Sequence, residues 1–162
     1  MSVQPSNAQW VVWISLLVAA ILSIVTLPIW LSVARPLWVP MVVVYWVLVM
    51  PNRFGLIFAF SVGILLDVLL GFLLGVNAIC LMLLAFVTLT LHRRLRMFPM
   101  WQQTFVVFVL INCHQLLYIW AKSIMGLSEP SLWYLFPSVS SAVLWPLVFA
   151  SLTFIRSYFK VS

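Results

Sequence analysis

Six apolar runs, each long enough to form a helix, fill nearly the whole chain, with short breaks rich in Pro, Gly and Arg between them. They cover residues 10–27, 37–50, 55–74, 78–91, 101–124 and 137–155. A backbone can leave water over such lengths only when its amides and carbonyls bond to one another, as they do within a helix. Hydrophobic residues make up 66% of the chain and charged ones 6%, where a soluble domain carries about a quarter charged. The chain reads as an all-α integral membrane protein. The runs are continuous rather than alternating, which excludes an outer-membrane barrel. Residues 1–162 form one membrane domain, because no connection is long enough to fold as a globular unit.

No Lys or Arg precedes the first run and no small-residue cleavage site follows it, so it reads as a retained span rather than a signal peptide. Cys80 and Cys113 fall within predicted spans, where they are expected to be buried as small hydrophobes. The second run is short. As a helix, residues 37–50 reach about 21 Å, less than a hydrocarbon core of roughly 30 Å. One reading is a short, kinked span extended backward through Pro36 and Pro40. The other is a re-entrant element that leaves five spans. The run lacks the polar or Gly-rich break a re-entrant loop needs, which favours a compact bundle of six spans.

Basic residues orient the bundle. With six spans, Arg53, Arg93, Arg94, Arg96, Arg156 and Lys160 face the cytoplasm, and only Arg35 and Lys122 face out. With five, Arg35 joins the inner side, so charge alone does not separate the two. Both place the C-terminus and His92–Arg96 inside, and that cluster is expected to interrupt the helical pattern. The six-span reading places the N-terminus inside as well. Between the last two runs, Ser128-Glu129-Pro130 is a helix-start signal that opens a short aromatic turn.

The third run contains one of the chain's two acidic residues. Gly55, Ala59, Gly63, Asp67, Gly71 and Gly75 recur every four positions, which stacks them on one face if residues 54–74 are helical. That face would be almost bare backbone carrying a single carboxylate, suited to close helix–helix contact. Intramembrane acids are costly and normally face a partner or a bundle interior. Asp67 lies about 20 Å of helix rise from the start of its run, past the midplane. His114, within Asn112-Cys113-His114-Gln115, sits at the same depth in the fifth run and could pair with it; interhelical hydrogen bonding is the plainer reading of this cluster.

Catalysis finds little support. There is no Ser–His or paired-Asp arrangement, no zinc-ligand spacing and no phosphate-cradling loop. The sequence implies no cofactor, no metal and no nucleic-acid partner. The Arg93, Arg94 and Arg96 cluster reads as a topology determinant that can also touch anionic lipid. Tryptophans cluster at span ends as an aromatic belt; Trp38 and Tyr45 share a helical face from which Trp46 leans away, and Pro146 after Trp145 is expected to kink the last span.

Taken in order, Arg35-Pro36-Leu37-Trp38, Tyr45-Trp46, Gly63, Leu66-Asp67, Gly71, Leu74-Gly75, Trp101-Gln102-Gln103 and Leu144-Trp145-Pro146 resemble the MreD family of bacterial rod shape-determining inner-membrane proteins. Bulky Val68-Leu69-Leu70 and Phe72 after the acid depart from the small or polar residues of relatives. The resemblance implies a non-enzymatic subunit of the elongation machinery that associates with MreC, and through it with a class B penicillin-binding protein and RodA, with the MreB system on the inner face. It also implies a fold similar to the membrane substrate-binding subunits of energy-coupling-factor transporters. The small-residue ridge would then dock a partner helix with Asp67 bonded to a donor on it. The competing reading is a vitamin-like small-molecule binding subunit, which requires several polar groups converging near Asp67.

Overall fold

The computed structural model describes residues 9–25, 28, 35–71, 74–126 and 132–159. Six α-helices and no strand occur among them: α1 (Gln9–Ile24), α2 (Trp38–Val49), α3 (Leu56–Leu70), α4 (Val76–Met97), α5 (Met100–Ile124) and α6 (Phe136–Tyr158), with a 3₁₀ turn at Leu132–Leu135 before α6. The signal Ser128-Glu129-Pro130 lies outside the described residues. α4, α5 and α6 are long and apolar enough to cross a membrane, and the other three are shorter apolar helices.

The helices alternate in direction. Trp10 at the start of α1 and Phe159 just beyond α6 line one groove, while Ser23 near the end of α1 and Leu37 before α2 line a cavity at the opposite end. The C-terminal turn of α4 reaches the C-terminal end of α2, so Trp10 and Phe159 lie on the side of His92–Arg96.

The short second segment is the centre of the molecule. Every residue from Val39 to Leu48 is buried, and α2 packs against α1, α4, α5 and α6. A helix apolar on all sides belongs in an interior. Its length need not match the bilayer, because its ends are met by neighbouring side chains. The Leu37 amide donates to Ser141 Oγ at 2.8 Å. Arg96 donates through Nε to the Leu48 carbonyl at 3.1 Å, and through Nη2 to that of Val49. These are the carbonyls a helix C-terminus leaves unpaired.

That contact corrects the expectation that His92–Arg96 breaks the helical pattern. α4 continues to Met97, six residues past the apolar run, and places Leu95 in the core. Cationic residues suit a helix C-terminus, so the cluster prolongs α4 rather than ending it. Cys113 is a second correction: it is exposed, and only Cys80 is buried.

Trp46 leans away from the Tyr45 face, toward α1. It and Tyr45 are fully buried, because α2 has neighbours all round. Trp46 donates to Ser15 Oγ of α1 at 2.9 Å, and the Tyr45 hydroxyl lies 3.1 Å from Thr153 Oγ1 of α6. Phe54 packs edge-on to Trp46, and Phe149 packs against both Tyr45 and Trp145. Trp38, at the start of α2, is half-buried, and α6 runs on through Pro146.

Trp46→Ala should lower stability by about 3–5 kcal/mol through the cavity it leaves. Trp46→Phe should cost about 1 kcal/mol, for the hydrogen bond to Ser15. Melting of the detergent-purified protein checks the order.

Candidate functional site

The small-residue row is helical only in part. Ala59, Gly63 and Asp67 lie on α3 and are all buried. Gly55 is the residue before the helix, and α3 ends at Leu70. Gly71 and Gly75 fall in the turn to α4, with φ of 64° and 107°. Both values lie in the left-handed region, which glycine adopts without a Cβ penalty. The expected helix over residues 54–74 is therefore too long. A spacing of four continues in the sequence whether or not the backbone does.

The ridge is occupied by the chain itself. Among the described residues α3 and α4 form the most extensive helix pair. At Gly63 a Cβ would overlap the Ala78 Cα and lie 2.6 Å from the Ala78 nitrogen and 2.9 Å from the Asn77 carbonyl carbon. No side chain fits there. At Gly63 the close helix–helix contact expected of the ridge is made by the chain's own α4. The small residues let α3 seat on the first turn of α4, where two backbones meet directly.

Asp67 finds its donors in the same place. Its Oδ2 accepts the Gly75 amide at 2.8 Å and the Ala78 amide at 3.4 Å. Its Oδ1 accepts the Asn77 amide at 3.2 Å and the Asn77 side-chain amide at 2.8 Å. Gly75 precedes α4 and has no side chain with which to cap it, so Asp67 supplies the cap from the preceding helix. The carboxylate also sits at the positive end of the α4 dipole.

His114 does not pair with Asp67. It is 4% exposed, and neither ring nitrogen has a hydrogen-bond partner among the described residues. The two are nevertheless brought to one end of the bundle: Asn77, held by Asp67, and His114 line the same cavity as Arg35, Pro36 and Gln115. Asn112 turns elsewhere, accepting from Ser138 at 3.0 Å and tying α5 to α6. Trp145 is fully buried and its indole nitrogen has no partner among the described residues. Among the described residues no three His, Cys, Asp or Glu side chains gather as a metal site.

Three features escaped the sequence. Arg96 as the cap of α2 is hidden, since nothing in a basic cluster says which member turns inward. The placing of Arg35 and His114 in one cavity is hidden because the two are far apart in the chain. A groove of about 520 Å³ between α1, α2 and α6 is also new; Trp10, Ile14, Val18, Trp38, Leu147 and Ser151 are among its lining.

A family model described as rod shape-determining protein MreD matches residues 4–155. No curated protein and no solved structure matches the chain.

Asp67→Ala strands three backbone amides and the Asn77 side-chain amide at once and should destabilise by about 2–3 kcal/mol. Asp67→Asn keeps an acceptor and should cost less. Gly63→Leu should unseat α3 from α4, read as a lowered melting temperature even with no partner present.

Proposed function

The chain belongs to the MreD family of rod shape-determining membrane proteins, and on that premise we propose that it is a non-enzymatic subunit of the cell-elongation machinery in the bacterial inner membrane. In this reading it binds MreC and thereby couples the class B penicillin-binding protein and RodA to the MreB system. Family membership carries the proposal. The alternation of helix directions supports six spans, with both termini and His92–Arg96 in the cytoplasm. A compact six-helix bundle of this kind is also what similarity to the energy-coupling-factor substrate-binding subunits would require.

The face that meets MreC is not the Asp67 ridge, which α4 already fills. The groove between α1 and α6 suits a single transmembrane helix better. It is open and almost wholly apolar, and Ser15, Ala19 and Ser151 line it with small side chains. Small residues let a partner helix approach closely when lipid tails offer no hydrophobic gain. We therefore place the MreC helix there.

Ser151→Trp and Val18→Trp project from exposed positions into this groove. Each should reduce co-purification of MreC at least tenfold and turn rod-shaped cells round, while leaving the melting temperature of the isolated protein unchanged. Full retention of MreC by both variants would move the contact elsewhere.

A further inference from the structure

A cavity of about 440 Å³ opens at the end of the bundle opposite His92–Arg96, where α1, the residues leading into α2, the ends of α3 and α5, and the starts of α4 and α6 converge. Its described lining has two characters. Leu37, Val39, Leu66 and Leu70 are aliphatic, and Arg35, His114 and Gln115 are polar. Pro36, Pro40 and Pro137 also line it, and a proline has no backbone N–H to offer.

Two of the polar groups are left without partners among the described residues. One is the buried Nη2 of Arg35, and the other is the whole imidazole of His114. A buried donor without an acceptor is costly, and more so when it carries charge. Asn77 and Tyr118 also line the cavity but are engaged, Asn77 with Asp67 and with the Tyr118 side chain. No carboxylate lines the cavity among the described residues, since Asp67 is turned into the α3–α4 junction. The open valences therefore include the guanidinium of Arg35, whose fork matches the oxygens of a phosphate, and one N–H of the His114 imidazole.

We propose that this cavity binds the phosphate of a lipid, with its oxygens on Arg35 and His114 and the first carbons of its chains against Leu66 and Leu70. An acidic peptide could satisfy Arg35, yet its own backbone would face a lining that is mostly prolines and aliphatic side chains. An amphiphile needs no backbone partners. The proposal rests on the cavity alone and is independent of the contact with MreC.

The test uses the purified full chain in detergent, without MreC, and four probes: dioctanoyl phosphatidic acid, dioctanoylglycerol, inorganic phosphate and a glutamate-rich peptide. Native mass spectrometry should show one phosphatidic acid per chain, with a rise in melting temperature, no retention of dioctanoylglycerol, and phosphate or peptide binding at least tenfold weaker. Arg35→Gln should weaken phosphatidic acid at least tenfold and His114→Asn severalfold. Arg35→Lys, which keeps the charge but loses the fork, should fall between and serves as the folded control. Equal binding by Arg35→Gln and the unmodified chain would overturn the assignment, as would equal retention of dioctanoylglycerol. Phosphate as tight as the lipid would overturn the lipid part, and a peptide that binds more tightly would replace it.

Discussion

The buried carboxylate of Asp67 holds two helices in register. A charge at this depth would cost several kcal/mol if left alone. Here it accepts three backbone amides and one side-chain amide from the first turn of α4. Those amides would be orphans at any helix start, and in lipid no water would reach them. One group thus removes two penalties. The arrangement works only if α3 and α4 touch, which is why Gly63 faces the Ala78 backbone with no room for a methyl group. It also requires the chain to reverse within a few residues, which Gly71 and Gly75 allow.

The rest of the bundle forms around α2, which packs on α4. α2 has no polar face and is too short to serve as a perimeter span, so neighbours close both of its ends. Ser141 takes the amide before its first turn and Arg96 takes the last carbonyls. Arg96 reaches that point only because α4 continues past its apolar stretch. α4 is therefore anchored at its start by Asp67 and anchors α2 at its end, and the hydrogen bonds of Tyr45 and Trp46 carry the order outward to α6 and α1.

Much of this was legible residue by residue. The four-residue spacing of Ala59, Gly63 and Asp67 did mark a close-packed face, because period and helix geometry are properties of the local chain. The same spacing misled at Gly71 and Gly75, where the backbone turns left-handed while the pattern runs on. The aromatic and apolar character of residues 37–50 was plain, but its meaning was not: a short apolar run is the same string whether it crosses a bilayer poorly or sits at the middle of a bundle. For Asp67 and His114, equal depth was readable and shared contact was not, since depth follows from counting residues while direction depends on how each helix is rotated.

By itself the sequence determined that the chain is helical, that it belongs in a membrane and that it resembles the MreD family, because apolar run length, charge content and ordered short motifs are one-dimensional quantities. Only the tertiary structure decided that the ridge around Asp67 is filled by the chain's own α4, that the shortest helix is the central one, and that Arg35 and His114 stand together in one cavity. Each of these depends on which faces of separate helices meet. That choice is made by packing and hydrogen-bond satisfaction over the whole bundle, and no local stretch of residues contains it.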